Sequence, residues 1–185
     1  MEQHVRKSNR LKHYNYSSPG AYFLTICTEG QQPILSRIVG GGALDAPEIR
    51  LTKTGHIVRD CLLSGNQIPG VTVDKFVIMP NHIHIILIID AAVSGEITQA
   101  TSPANAVIPH FIATFKRFCH RDAGRRIFQR SYHDHVIRNS SDYRRIWQYI
   151  DNNPARWQED CFYTEHSLRG VEGTAPYITP LEDTL

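Results

Sequence analysis

Two histidines separated by a single residue carry the first chemical signal of this sequence. His82 and His84 belong to an isoleucine-rich apolar run that ends at Ile89, a composition typical of a buried strand. Side chains on a strand alternate between its two faces, so both imidazoles project from the same face. Two imidazoles on one rigid element can bind one cation. The pair therefore predicts a metal site, with two hydrogen-bonded histidines on a half-exposed strand as the simpler alternative.

A tyrosine and an asparagine at helical spacing provide a second candidate group. Tyr149 and Asn153 are four residues apart in a helical pattern, so they share one face. If this helix lies beside the histidine strand, the site gains a phenol and the Asn153 carbonyl oxygen, with coordination positions left for substrate. A phenol can attack a polarised phosphodiester once its proton, lost by free tyrosine only near pH ~10, is removed. The alternatives are a core aromatic for Tyr149 and a helix C-cap for Asn153.

The elements that must position these groups are predicted strands and helices of one domain. Apolar, β-branched runs predict strands at 21–28, 71–79 and 82–89, the last two paired as an antiparallel hairpin in the centre of a sheet. Helical periodicity predicts helices at 56–64, at 107–120 and from about 142 to 153, the last with Ser140 and Ser141 as N-caps. Segment 127–137 has the composition for a further strand, and 91–106 is expected to be a loop. The order indicates an α+β domain.

Length and composition exclude several classes of protein. The 185 residues, of which 41% are hydrophobic and 21% charged, suit one globular domain. No apolar run reaches the roughly 18 residues of a membrane-spanning helix, and the basic N-terminus lacks the apolar stretch of a secretory signal. The scattered cysteines lack the C-x-x-C spacing of zinc knuckles and redox motifs. We therefore expect a cytoplasmic protein with no membrane partner.

The charge distribution is uneven although the net charge is only +2. Between Phe111 and Arg145 there are nine lysines and arginines and three acidic residues, whereas the segment after Trp157 is acidic. A basic block of this kind indicates a phosphate-bearing partner, with a solvated helix face as the alternative. The candidate DNA-binding residues are Lys116, Arg117, Arg121, Arg125, Arg126 and Arg130.

Taken together, the motifs resemble the HUH-type single-tyrosine transposases. The resemblance is carried by the run Met79-Pro80-Asn81-His82-Ile83-His84 and by the run Tyr149-Ile150-Asp151-Asn152-Asn153-Pro154. The REP-associated tyrosine transposase branch is the most similar, through segments 22–28 and 134–138. The likeness extends from about residue 10 to residue 157.

The resemblance implies a fold, an activity and a set of site residues. The fold would be a ferredoxin-like antiparallel sheet with helices packed on one face, in a single HUH transposase-like domain spanning 1–185 with its core at about 10–157 and an acidic extension at 158–185. The activity would be DNA transposition, in which a single-stranded DNA endonuclease and strand transferase forms a 5′-phosphotyrosine intermediate. Tyr149 would be the nucleophile, and His82, His84 and Asn153 would bind Mg²⁺ or Mn²⁺. The partner would be single-stranded DNA with hairpin or palindromic ends, bound by a monomer or a homodimer.

Two other functions remain compatible with the sequence. A domesticated descendant would bind a DNA hairpin without cleaving it. A metallohydrolase would use water bound at the histidines and would not need Tyr149.

Overall fold

The computed structural model describes residues 14–40, 46–91 and 106–163. Its strands are β1 Gly20–Cys27, β2 Ser36–Val39, β3 Glu48–Leu51, β4 Val71–Ile78, β5 His82–Ile89 and β6 His133–Ile137. Its helices are α1 Lys53–Ser64, α2 Val107–Asp122 and α3 Ser140–Asn152, and single 3₁₀ turns occur at Glu29–Gln31, Gly65–Gln67 and Trp157–Glu159. None of the helices in these three ranges is long and apolar enough to cross a membrane.

The main sheet has four antiparallel strands in the order β4-β5-β1-β6. The predicted hairpin of β4 and β5 is confirmed, but only β5 is central, and β4 lies at the edge of the sheet. The burial of the two strands explains the difference. Nearly every side chain of β5 is buried, whereas β4 exposes Thr72 and Asp74, and polar side chains are typical of an edge strand.

The two faces of this sheet bury different partners. On one face, alternate side chains of β1 and β5 form the larger core with α1 and α2; its members include Tyr22, Leu24, Ile26, Leu62, Ile83, Ile85, Leu87, Phe111 and Phe115. On the other face, Phe23 and Ile86 belong to a smaller cluster with Ile146 and Ile150 of α3. The predicted α+β fold class is confirmed. The expectation that the helices pack on one face holds for α1 and α2 but is wrong for α3, which covers the face that carries both histidines.

The ends of the helices follow from local hydrogen bonds. The Thr52 hydroxyl accepts a hydrogen bond from the Gly55 N–H at the start of α1. At the start of α3 the N-cap is Asn139, whose Oδ1 accepts from the Asp142 N–H, and the two serines that we expected as caps are the first residues of the helix. The helix ends at Asn152, where Pro154 predicts the end.

A small hairpin of β2 and β3 was not predicted from the sequence. Its strands have four residues each, and only β3 alternates charged with apolar side chains, which is too short a run to give a clear pattern. The segment before it supports the turn that leads into β5. The Leu35 N–H donates to the Pro80 carbonyl at 3.0 Å, and the Ser36 hydroxyl donates to the Ile78 carbonyl at 2.8 Å. The hairpin region therefore helps to fix where the histidine strand begins.

Replacing Gly55 by alanine tests this support. A Cβ at Gly55 would lie 2.0 Å from the Leu35 carbonyl oxygen, so α1 could not stay in its position. Gly→Ala within a helix normally gains about 1 kcal/mol. Here we expect the free energy of unfolding to fall by at least about 2 kcal/mol because of the overlap. Urea denaturation measures the change. Lys53→Ala, at an exposed position of the same turn, is the control, and equal stability of the two variants would contradict this account.

Candidate active site

The histidine strand and α3 bring three of the predicted site residues into contact. His82 Nε2 lies 3.0 Å from His84 Nε2, and the Tyr149 hydroxyl lies 3.2 Å from the same His84 nitrogen. Both imidazoles are fully buried, at 0% and 1% exposed. The two histidine nitrogens therefore face a common point, and the phenol lies beside it.

Asn81 fixes the tautomer of His82. The Asn81 Nδ2 amino group donates to the Phe162 carbonyl at 2.7 Å, so its Oδ1 is the atom that faces His82 Nδ1 at 2.9 Å. An amide oxygen only accepts, and the imidazole must therefore donate from Nδ1. The lone pair of neutral His82 is then at Nε2, where it faces His84. This nitrogen is a ready metal ligand.

Thr25 leaves His84 free to change its tautomer. Its hydroxyl lies 2.9 Å from His84 Nδ1, and a hydroxyl can either donate or accept. Because His82 Nε2 is an acceptor, His84 Nε2 donates to it here, and Thr25 then donates to His84 Nδ1. With Thr25 as the acceptor instead, the proton moves to Nδ1 and the His84 Nε2 lone pair becomes available. One hydroxyl thus supports both the protonated and the ligating form of Nε2.

Burial keeps the two histidines neutral. Desolvation lowers the pKa of His82 from its ordinary value to about 3. Desolvation and the neighbouring His82 also hold the pKa of His84 well below its ordinary value. Neutral imidazoles keep the lone pairs that a cation needs, so the apolar surroundings favour metal binding.

Asp160 is a site residue that the sequence did not single out. Its Oδ2 accepts from Asn153 Nδ2 at 2.7 Å and from the Tyr149 hydroxyl at 3.4 Å, and its Oδ1 accepts from the Phe162 N–H at 2.7 Å. Together with His82 and His84 it forms a group whose candidate ligand atoms lie within 4.8 Å of one another. Asp160 lies in the acidic segment after Trp157, and no motif distinguishes it from its acidic neighbours.

Asn153 combines a structural and a site role. It is the C-cap of α3, as the simpler interpretation predicted, and it is 3% exposed. Its Nδ2 donates to Asp160, while its buried Oδ1 has no hydrogen-bond partner in the described part of the chain. A buried amide oxygen without a donor is unfavourable by about 1–3 kcal/mol. Such an oxygen is suited to ligate a cation, which was the predicted role.

Aromatic rings enclose this polar cluster. Phe23 stacks on His84 at 5.1 Å between centroids, and Phe162 lies 4.6 Å from the ring of His82. Burial and the Asp160 carboxylate raise the pKa of Tyr149 above its ordinary value, so the phenol keeps its proton. Asp160 and Phe162 belong to residues 158–163, which we expected in the C-terminal extension and which contact the site. Residues 164–185 lie outside the described ranges.

The residues present fit a divalent cation. His82 Nε2 and His84 Nε2 lie 3.0 Å apart, so one cation would be within reach of both nitrogens. The carboxylate of Asp160 adds an oxygen donor to this group, and Asn153, which donates to that carboxylate, has an amide oxygen without a hydrogen-bond partner in the described ranges. Two nitrogens with oxygens suit Mn²⁺ at least as well as Mg²⁺, which prefers oxygen ligands.

The candidate DNA-binding residues fall into two groups. Arg117, Arg121, Arg125, Arg126 and Arg130 are exposed. Lys116 is only 8% exposed, and its ammonium donates to the carbonyls of Gln129, Arg130 and Ser131. Lys116 thus stabilises a loop inside the protein, and we remove it from the residues proposed to contact DNA.

Comparisons with known proteins identify a relative by sequence and a neighbour by fold. No family model matches the chain. An uncharacterised protein of Haemophilus influenzae is 32% identical over 177 residues, which cover 88% of this chain and 95% of that protein. The solved structure of the REP-associated tyrosine transposase bound to a REP hairpin matches with a TM-score of 0.55 and 18% identity, over 85% of this chain and 74% of that one. At this identity the second match shows a shared fold.

The buried histidines should make the protein sensitive to acid. Unfolded histidine binds a proton near pH 6.5, whereas His82 and His84 stay neutral in the folded state, so unfolding takes up protons below that pH. We expect the free energy of unfolding in EDTA to fall from pH 6.5 to 5, by up to about 1.4 kcal/mol per pH unit for each histidine. His82→Gln should reduce this slope. The exposed His56→Gln is the control, and an unchanged slope in His82→Gln would refute the assignment.

Proposed function

Since this chain belongs to the same family as the Haemophilus influenzae protein and has the fold of the REP-associated tyrosine transposase, we propose that it is a metal-dependent single-stranded DNA endonuclease and strand transferase. Its substrates would be DNA ends with hairpin or palindromic sequences. The observation that carries the proposal is the position of the Tyr149 hydroxyl, 3.2 Å from His84 Nε2 and in one buried cluster with His82. A metallohydrolase would have no use for a phenol at this position.

In the proposed reaction Tyr149 is the covalent nucleophile. Its oxygen attacks the phosphorus of a phosphodiester, a bond forms between phosphorus and the phenol oxygen, and the bond to the 3′ oxygen breaks. Overall, the phenol proton passes to that 3′ oxygen. The products are a 5′-phosphotyrosine and a free 3′-hydroxyl. Attack by another 3′-hydroxyl reverses the step and joins the strands. Before a cation binds, the hydroxyl lies 3.2 Å from His84 Nε2 and donates to Asp160 Oδ2 at 3.4 Å.

The metal proposed for this site would be held by this chain's own side chains. His82 and His84 supply nitrogens, and Asp160 and Asn153 supply oxygens. When bound, Mg²⁺ or Mn²⁺ would polarise the scissile phosphate as a Lewis acid. Thr25 and Asn81 orient the two imidazoles from their other nitrogens. The histidines are buried, and Phe162 is one of the rings that pack on them, so DNA can reach them only after neighbouring side chains move.

One chain supplies both halves of this site. The histidines come from β5 and Tyr149 comes from α3 of the same molecule. This arrangement supports a monomer that cleaves in cis. The fold neighbour was solved with a REP hairpin, which supports hairpin DNA as the partner class.

A covalent adduct is the decisive test of the proposed activity. We expect the protein with Mn²⁺ and a 5′-labelled or 3′-labelled single-stranded hairpin DNA to form a protein–DNA adduct that survives a denaturing gel. Because a 5′-phosphotyrosine retains the DNA segment downstream of the cut, the 3′ label should stay with the protein and the 5′ label should be released. Tyr149→Phe removes only the hydroxyl and should abolish the adduct, with a loss of at least about 10³-fold in cleavage because no other nucleophile replaces it.

Tyr143→Phe is the matched control, since it also lies on α3 but its hydroxyl donates to Asp74. Cleavage that persists in Tyr149→Phe without an adduct would favour the metallohydrolase. Hairpin binding with neither cleavage nor adduct in the wild type would favour the binding protein. Either result overturns the proposal.

The proposed metal site predicts that replacing a ligand weakens Mn²⁺ binding more than replacing a residue that orients a ligand. His82→Ala removes a ligand and should abolish binding in an electron paramagnetic resonance titration of free Mn²⁺. Thr25→Val keeps the shape of the side chain but loses the hydroxyl at His84 Nδ1, and we expect affinity to fall about 10- to 100-fold. Thr72→Val, exposed on β4, should bind as the wild type does. Equal affinity in Thr25→Val and the wild type would refute the orienting role.

A further inference from the structure

We propose that Lys116 is a positioning residue that shapes residues 125–131, here called the arginine loop, into a phosphate-binding surface beside His82. The inference rests on the proposed function and names the part of the protein that holds the DNA backbone. The buried Lys116 ammonium, which takes no part in the candidate active site, is thereby given a function.

Lys116 holds the arginine loop from inside the protein. Its Nζ donates to three consecutive main-chain carbonyls, those of Gln129 at 2.7 Å, Arg130 at 3.2 Å and Ser131 at 2.9 Å. An ammonium has three donors, so all of them are used. Three consecutive carbonyls that point to one buried cation require a curved backbone, and their side chains consequently project outward.

The loop is also held from two other directions. Its Ile127 and Phe128 are fully buried in the larger core. The Phe128 N–H donates to His120 Nε2 of α2 at 3.2 Å, and the Gln129 N–H donates to the Cys27 carbonyl of β1 at 3.0 Å. Hydrogen bonds to two elements and a buried centre make the loop a preformed surface, which lowers the entropy cost of binding.

The arginine loop is linked to the histidine strand through Cys27, the last residue of β1, and Thr28, which follows it. Cys27, which accepts the bond from the loop, is paired with His82 in the sheet. Thr28 forms a bridge with Phe128, and both its N–H and its hydroxyl donate to the Asn81 carbonyl. The loop and the first residue of β5 are therefore attached to the same short stretch of strand.

The side chains that the loop exposes match a phosphate backbone. Arg125, Arg126 and Arg130 are all exposed. Arg126 pairs with Glu29 at 3.0 Å, while the ion pairs found in the described ranges include neither Arg125 nor Arg130. Guanidinium groups bind phosphate oxygens through paired hydrogen bonds. Such contacts position a strand without reading its sequence, so the ligand is the phosphodiester backbone of single-stranded DNA flanking the cut site.

The salt dependence of DNA binding tests the role of Lys116. Binding of a labelled single-stranded hairpin is measured from 50 to 300 mM salt in the Tyr149→Phe background, so that no cleavage occurs. Each phosphate contact on a single strand contributes about 0.7 to the slope of log K against log salt. Arg125→Gln with Arg130→Gln should reduce the slope by about 1.4. Lys116→Met should give a similar reduction although the lysine does not reach DNA.

A double-mutant cycle separates positioning from a general loss of charge or stability. Once both arginines are replaced, Lys116→Met should not change the slope further, because the contacts it positions are already lost. Lys116→Arg, which keeps the cationic donors, should recover most of the slope. Lys53→Met removes the same charge at an exposed position of α1 and should leave the slope nearly unchanged. Circular dichroism in urea confirms that each variant is folded.

Two results would overturn the inference. One is an unchanged slope in a folded Lys116→Met protein or an additive loss in the cycle. The other is an unchanged slope in the double arginine variant, which leaves Lys116 intact and so applies even if Lys116→Met does not fold. Failure of the proposed function is seen separately, as a missing adduct in a wild-type protein that still binds DNA with the full salt slope.

Discussion

The register between β1 and β5 is the constraint on which the rest of the site depends. It places Thr25 opposite His84 and Cys27 opposite His82. Because side chains alternate, a slip of one residue would turn both histidines into the apolar core beneath α1 and α2 and would bring Ile83 and Ile85 to the face of α3. The register is enforced by the larger core, where Leu24 and Ile85 are fully buried. Ordinary hydrophobic packing on one face thus fixes the polar chemistry on the other.

The site itself departs from what stability alone would favour. Two histidines and an amide are buried, and a phenol is half-buried beside them, where apolar side chains would pack more simply. Their polar atoms are largely satisfied by Asn81, Thr25 and Asp160, and the exception is the Asn153 oxygen. Buried polar atoms in proteins normally have a hydrogen-bond partner, and this acceptor beside two neutral imidazoles has none. Such exceptions tend to occur at functional sites. Burial lowers the pKa of both histidines, and it also leaves the Asn153 oxygen without a hydrogen-bond partner in the described part of the chain.

The sequence predicted the parts of the structure that depend on short-range patterns. The strand at 82–89 is confirmed with its bounds, and the helix predicted at 107–120 runs from Val107 to Asp122. The contact of Tyr149 with His84, 65 residues away, followed from motif spacing and the resemblance. Asp160 could not be identified as a site residue from the sequence. It reaches the site only because the segment after α3 folds back over the sheet. Lys116 looked like a surface cation, and only tertiary structure shows three carbonyls around it.

The residues proposed for binding and for cleavage lie on different elements of this fold. The sheet carries the histidines and supports the arginine loop, whereas α3 carries Tyr149, the proposed nucleophile. Besides the small apolar cluster, α3 is attached through partly exposed polar contacts, such as Lys75 with Asp151 and His135 with Asp142. Exposed ion pairs contribute little, about 0–1 kcal/mol each, so the helix is held less firmly than the strands. A small displacement of α3 would therefore remove the phenol from the histidines and leave the histidines of β5 and the arginine loop in place. Under the proposed function, DNA affinity alone would not reveal whether the protein cuts, and a covalent bond to Tyr149 is the property that would.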